Sequence, residues 1–253
     1  VTVHQQRRSW NRAAERYQAQ HRIGTACVHY GPIAPDERTL KLLGDVTGKH
    51  VLEIGCGGGQ NCIALARQGA HVTGIDLSDA QIDFARRLAQ EEGVSVDFRQ
   101  GEAADLGFVA TDSLDWLLAV YLFPYVEDVL DVLGECARTL RPGGKLILSQ
   151  DHPIRACFWD QETEDEEVLP ARNYFDTQPM RWSFADTGAP MRTYHRPLSQ
   201  WLDWLHETNL TFRRLLEFSI PPDWADDPWA DEYTSEIAVY LPQTMILIAE
   251  KPA

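Results

Sequence analysis

Val51-Leu52-Glu53-Ile54-Gly55-Cys56-Gly57-Gly58-Gly59 is the stretch that decides the fold of this 253-residue chain. A short apolar run breaks into a glycine loop, and a helical pattern opens behind it at about Asn61-Cys62-Ile63-Ala64-Leu65. Glycines at a strand-to-helix turn let the backbone bend sharply and let a ligand approach where a Cβ would block it. The helix N-terminus behind them offers free N–H groups and a partial positive charge to an anionic group. A second strand, His71-Val72-Thr73-Gly74-Ile75-Asp76, ends in a carboxylate twenty-one residues after Gly55. At that spacing an acidic side chain reaches ribose hydroxyls in a doubly wound α/β fold.

The glycine spacing narrows the ligand. A dinucleotide fingerprint reads G-x-G-x-x-G/A, and Gln60 stands where its last small residue belongs. What is present is E-x-G-x-G-x-G over 53–59. The competing reading is a tight turn with no ligand, since glycine turns occur in many α/β proteins. Further signals follow in order. Val96-Asp97-Phe98-Arg99 reads as a third strand ahead of Gly101-Glu102-Ala103. Leu114-Asp115-Trp116-Leu117-Leu118-Ala119-Val120 is nearly all apolar, as a central strand covered on both faces should be. Leu140-Arg141-Pro142-Gly143-Gly144-Lys145-Leu146 gives a helix end, a turn and a fifth strand.

Over about 48–150 this order of motifs resembles the class I (Rossmann-fold) S-adenosylmethionine-dependent methyltransferases. A wider resemblance, to bacterial methyltransferases of the broad type 11 kind, rests on Trp10, Tyr17 and His21, the Gly31-Pro32 turn, His152-Pro153-Ile154-Arg155, Tyr174-Phe175-Asp176 and His195-Arg196-Pro197-Leu198. The chain departs from that group at Tyr30, where tryptophan is usual, and near residue 229. The resemblance implies a doubly wound, seven-stranded, mostly parallel α/β sheet with an N-terminal helical lid and an insertion after the fifth strand. It implies one domain over 1–253: a lid at 1–40, a cofactor core at 41–150, an acceptor-side cap at 151–197, and the rest of the sheet at 198–253.

The implied cofactor is S-adenosylmethionine, released as S-adenosylhomocysteine. Gly55, Cys56, Gly57 and Gly59 would cradle its methionine part, with Glu53 supporting the loop. Asp76 would take the ribose, and Glu102 and Ala103 the adenine. Leu77 and Ala119 complete the implied cofactor set. Cys56, inside the loop, reads as a small residue that fits the turn rather than as a reactive thiol.

Acceptor residues are less marked. His152 starts the segment after the fifth strand, beyond the carboxyl end of an open sheet where ligands bind. Its unperturbed pKa near neutrality makes it the first candidate base; the alternative is a histidine that hydrogen-bonds its own loop. Tyr17, His21, His29, Tyr30 and His195 are candidate pocket lining. Trp10, Ala13, Ala14, Tyr17 and His21 share one face of a helix at three- and four-residue steps. The acidic block at 160–167 lacks the spacing and glycine of a calcium loop, and no metal is expected. Met180-Arg181-Trp182-Ser183-Phe184 and Met191-Arg192-Thr193-Tyr194-His195 read as a β-hairpin.

Composition bounds the partners. The net charge of -15 and pI of about 4.9 speak against nucleic acid, which wants a basic footprint. Five cysteines without regular spacing fit a reducing compartment. No stretch is long and apolar enough for a bilayer, and the first residues lack the apolar core of a signal peptide. The expectation is a cytoplasmic enzyme with a small-molecule acceptor, no membrane contact, and a homodimer left open. Two readings compete: a protein or tRNA methyltransferase, and a cofactor-binding sensor without turnover.

Overall fold

The computed structural model describes residues 2–253 except 161, 164, 168, 185–186 and 221–235. The chain opens with α1 (Val3–His21), whose Thr2 and Gln5 form a reciprocal capping box. A four-residue α2 (Glu37–Leu40) follows, N-capped by Asp36. β1 (His50–Ile54) then runs through the glycine loop into α3 (Gln60–Arg67). From there β2 (His71–Asp76), α4 (Asp79–Glu91) and β3 (Asp97–Gln100) wind outward. The chain crosses back to β4 (Leu114–Val120), α5 (Val129–Thr139) and β5 (Leu140–Asp151).

A cap comes next. In it β6 (Trp159–Asp160) pairs with β7 (Asp165–Glu166), and β8 (Met180–Phe184) pairs with β9 (Ala189–Thr193). The last elements are α6 (Leu198–Glu207), β10 (Thr211–Phe218) and β11 (Thr244–Glu250).

Among the described residues, seven strands form one sheet in the order β10-β11-β5-β4-β1-β2-β3. β1 to β5 pair in parallel, and β11 runs antiparallel to both of its neighbours. The direction of winding reverses between β1 and β4. That is the topological switch point, where an open sheet leaves a crevice at its carboxyl edge. Alternation along the strands fills two cores. Leu117, Leu146 and Leu148 face Leu133 of α5 and Trp201 of α6. Leu118 and Ile147 face Ile63 of α3 and Ile82 of α4.

The switch point carries local strain. Tyr121, just past β4, is a non-glycine residue at φ 54°, a conformation that costs energy and tends to mark functional crevices. Its backbone N–H donates to Ser149 O at 2.8 Å. Its hydroxyl donates to Thr244 Oγ1 at 2.7 Å, and Thr244 donates on to Pro32 O at 2.6 Å. These bonds hold Tyr121 in place.

Strands β2 and β4 have the bounds expected from sequence, and β3 starts one residue later. The Pro142-Gly143-Gly144 turn is an irregularity inside β5, where the β4 register jumps from Leu140 to Lys145. A Cβ on Gly144 would sit 2.8 Å from two carbonyl oxygens, so the bulge needs glycine. In the hairpin, β9 starts at Ala189 and takes Pro190 into the strand. Of the acidic block at 160–167, Asp160, Asp165 and Glu166 take part in the β6–β7 ribbon of the cap. The proline- and tryptophan-rich loop expected at 221–229 lies outside the described residues.

Candidate active site

The glycine loop is tied down on both sides. Gly55 and Cys56 donate their N–H groups to Ile75 O at 2.8 and 3.0 Å. Gly57 N–H donates to Asp76 Oδ2 at 2.9 Å, and Ser78 N–H to Asp76 Oδ1 at 2.8 Å. Asp76 therefore locks the loop to the start of α4, yet each carboxylate oxygen keeps a lone pair for another donor. Burial pushes its pKa up, against the two backbone bonds that lower it. Gly57 sits at φ 51°, and a Cβ there would meet nothing within 4 Å. The space in front of it belongs to the cavity it lines.

Behind the loop lies Glu53, almost fully buried. Asn61 Nδ2 donates to its Oε1 at 2.9 Å, and Cys62 Sγ to its Oε2 at 3.1 Å. Asn61 also grips the backbone of His29, accepting its N–H at 2.9 Å and donating to its carbonyl at 3.1 Å. One amide thus joins β1, α3 and the segment before α2. Burial raises the Glu53 pKa from 4.5 to about 7, with the Cys62 and Asn61 hydrogen bonds opposing. Between those values the folded chain binds more protons than the unfolded one, so stability falls as pH rises through the window. Relative to Glu53→Gln, the wild type should lose about 3 kcal/mol at most between about pH 4.5 and about pH 8. Urea melts of both proteins check this; parallel pH slopes would rule it out. Asp76 is common to both, so the difference isolates Glu53.

A cavity of about 950 Å³ opens in front of the loop. Its roof is α1. Gln60 Nε2 donates to Gln18 Oε1 at 2.6 Å, and Gln18 Nε2 to Gln81 Oε1 at 2.9 Å. A Cβ on Gly58 would fall 2.6 Å from the Gln18 amide, so glycine is what lets α1 lie this close. Arg7 pairs with Asp79 at 2.7 Å at one end of the helix, and Ser9 Oγ donates to Pro190 O of the hairpin at 2.7 Å. The helix spans from α4 to the cap. Beyond it, Trp10 meets Tyr17, Tyr125 and Phe184 edge-on at 5.8, 5.2 and 5.4 Å, and Trp182 meets Phe184 at 4.9 Å. These rings give the far end of the cavity an aromatic wall.

The residues expected from sequence divide clearly. Glu53, Gly55, Cys56, Gly57, Asp76 and Leu77 line the cavity, and so do Glu102 and Ala103. Burial raises the Cys56 thiol pKa, which fits a packing residue rather than a nucleophile. Gly59 does not line it. At φ 78° it caps α3, and a Cβ would sit 2.6 Å from Phe98 and 2.9 Å from Ala85, so its role is packing. Ala119 is sealed in the core, and the neighbouring Val120 reaches the cavity instead.

On the acceptor side, Tyr17, His21, His29 and His195 line the cavity, with Tyr17 and His21 in ring contact at 4.3 Å. Tyr30 is a correction: it is fully buried, and its hydroxyl donates to Glu37 Oε2 at 2.6 Å. His152 reaches the cavity but has little freedom as a base. Its Nδ1 accepts Ile154 N–H at 3.1 Å. Its Nε2 is sealed, 2.8 Å from Glu217 Oε1 without hydrogen-bond alignment. The reading of His152 as a loop-bonding residue fits better than that of a base.

Three cavity residues are not among the site residues read from the sequence, although Arg196 falls within the His195–Leu198 motif. Gln150 is buried with its Oε1 unpartnered. Gln18 bridges roof and loop. Arg196 holds the turn after β4, donating to the carbonyls of Phe123 and Tyr194 at 3.2 and 3.3 Å, and to those of Glu127, at 3.0 Å, and Val126. Burial lowers its pKa to about 10. No cluster that could hold a metal ion occurs among the described residues, and no described helix is long and apolar enough to cross a membrane.

The sheet order, the glycine loop at the switch point and the acidic end of β2 define a class I methyltransferase architecture, and comparison with known proteins agrees. Residues 52–148 match the protein-family model described as a methyltransferase domain, which covers the glycine loop and strands β1 to β5 of this fold. A ubiquinone biosynthesis O-methyltransferase of Hahella chejuensis is 40% identical over 102 residues, 40% of this chain and 43% of the relative. One from Pseudomonas aeruginosa is 36% identical over 142 residues, 56% of this chain and 57% of the relative. The matches thus span about half the length of these curated relatives. Among solved structures, an S-adenosylmethionine-dependent methyltransferase from Mesorhizobium loti superposes with TM-score 0.67 at 24% identity, covering 83% of this chain and 94% of that one. The [4+2]-cyclase SpnF superposes with TM-score 0.69 at 20% identity, covering 100% and 98%. The fold alone therefore does not fix the reaction.

Proposed function

We propose that this chain transfers a methyl group from S-adenosylmethionine to a hydroxyl of a small aromatic acceptor. The observation that carries the reading is one continuous cavity with two chemically different ends. At one end stand the glycine loop, Asp76 and Glu102; at the other, the aromatic wall of Trp10, Tyr125, Trp182 and Phe184. A volume of about 950 Å³ is at the upper end for a single ligand site, which suits a cofactor and a ring-sized acceptor together. The name shared by the curated relatives supports O-methylation. The family match ends at 148, before the cap, so the acceptor is read from this chain's own wall.

The residues fit the cofactor. The backbone of Gly55, Cys56 and Gly57, whose N–H groups are held by Ile75 and Asp76, would shape the wall beside the methionine part, and the N-terminus of α3 behind it would receive the carboxylate. Asp76 accepts the ribose hydroxyls on its remaining lone pairs, and Leu77, Glu102 and Ala103 flank the adenine. When bound, S-adenosylmethionine supplies a methyl group already activated on a sulfonium. The chain's task is then alignment and exclusion of water. The roof of α1 and the edge-on rings do this by presenting the flat face of the acceptor to one direction only.

The test is incubation with methyl-labelled S-adenosylmethionine, a panel of phenols and catechols, and a native-host extract. Label is expected in the small-molecule fraction and lost with Asp76→Ala. Label in protein or nucleic acid would overturn the acceptor class. Cofactor binding with no label anywhere would overturn methyl transfer and favour a sensor.

A further inference from the structure

The cavity holds four histidines among the described residues, and hydrogen bonding sorts them. His29 Nδ1 accepts Gly31 N–H at 3.2 Å. His152 Nδ1 accepts Ile154 N–H at 3.1 Å, and its Nε2 is sealed. His21 is buried against Tyr17 at 4.3 Å. His195 differs. Its Nε2 lies 2.6 Å from the Tyr174 carbonyl oxygen, which can only accept, so the ring proton sits on Nε2. Its Nδ1 has no partner among the described residues. Nor does it belong to the sealed, unpartnered atoms that include His152 Nε2. The ring lines the cavity.

We propose that Nδ1 of His195 accepts the proton from the hydroxyl of the acceptor, making His195 the catalytic base. The inference rests on the function proposed above and assigns the one step left without a residue there. The acceptor oxygen forms its bond to the methyl carbon as the carbon–sulfur bond breaks, and that electron pair stays on sulfur. The hydroxyl proton moves to Nδ1, and the resulting imidazolium keeps its Nε2–H bond to Tyr174. It returns the proton to solvent after product leaves.

The surroundings suit a neutral base. Burial lowers the His195 pKa, helped by the Arg172 and Arg196 cations, while the Tyr174 carbonyl and Asp176 oppose. At neutral pH the lone pair is therefore present. Tyr174 is itself fixed, its hydroxyl accepting Leu198 N–H at 3.0 Å, and its ring meets His195 edge-on at 5.5 Å. The carbonyl that selects the tautomer is thus held between the cap and the start of α6.

Nitrogen NMR of the histidine rings, on protein saturated with S-adenosylhomocysteine and titrated with phenol and catechol, tests the assignment without turnover. The expected result is an Nε2–H tautomer for His195 at neutral pH, with an Nδ1 signal that moves as the hydroxylated ring binds. A proton on Nδ1, or an Nδ1 signal that neither ligand moves, overturns the proposal. With any phenol or catechol that the wild type methylates, His195→Gln, which can still donate to Tyr174, should lower kcat by about 10²- to 10⁴-fold. KM and cofactor affinity should hold, and the fall in rate at acid pH should flatten. Added imidazole should partly restore His195→Ala. An unchanged rate or pH profile in His195→Gln also overturns it. A wild type that methylates nothing counts against the proposed function instead, and the NMR result then decides this inference alone.

Discussion

Asp76→Ala is expected to weaken binding of S-adenosylhomocysteine by about 100-fold or more, because one carboxylate serves two purposes. It accepts Gly57 N–H and Ser78 N–H at 2.9 and 2.8 Å, and in the proposed complex it also accepts the ribose hydroxyls. Each hydrogen bond to a charged group contributes about 1.5–3 kcal/mol, so losing the ribose pair alone accounts for that factor. Loss of the two backbone bonds adds to it by freeing the loop that Gly57 belongs to. Asp76→Asn should recover little. Its single carbonyl oxygen can face one of the two N–H groups, and its NH₂ must then face the other. Isothermal titration with S-adenosylhomocysteine measures this directly. An Asp76→Ala affinity within a few-fold of wild type would remove Asp76 from the cofactor site.

The cofactor half was legible in the sequence because its signals are local. The 51–59 run, the carboxylate closing β2 and the apolar β4 each depend on neighbours within a few residues, and the structure assembles them at one crevice. Gly59 shows the limit even there. The motif marks it as a glycine, but only the fold shows that Phe98 and Ala85 are what forbid a side chain.

The acceptor half depends on contacts that only folding brings into place, several of them with backbone groups. Whether a histidine nitrogen is free depends on Ile154 N–H for His152 and on the Tyr174 carbonyl for His195, 21 residues away. No residue-type pattern encodes a backbone carbonyl. Tyr30 was a plausible pocket residue by position, and its burial follows from Glu37. That carboxylate collects the tyrosine hydroxyl together with the backbone N–H groups of Leu42 and Leu43.

Arg196 shows the same principle on the acceptor side and leads to the second large effect. Its guanidinium is buried and makes no carboxylate contact among the described residues; carbonyls of the turn after β4 and of Tyr194 satisfy it, and its charge stacks near Tyr194 at 4.8 Å and Trp204 at 5.6 Å.

 The arrangement fastens the turn at 123–127, of which 124–127 line the cavity, to the end of the hairpin. Arg196→Met keeps much of the apolar stem but strips these carbonyls of their donor. Leaving buried carbonyls unpaired costs about 1–3 kcal/mol each before water reaches them, so a net loss of about 3 kcal/mol is expected. For a chain of this size that lowers Tm by about 6–12 °C. Because the glycine loop and Asp76 are held by their own bonds, affinity for S-adenosylhomocysteine should change little, while methylation of a phenolic acceptor should fall through a higher KM. Arg196→Lys should recover only part of either loss, since one ammonium cannot serve carbonyls spread across a planar fork. Thermal melts, titration of the cofactor product and acceptor kinetics on the same variants separate these effects. A drop in cofactor affinity as large as the drop in acceptor affinity would mean that the two ends of the cavity are not held independently.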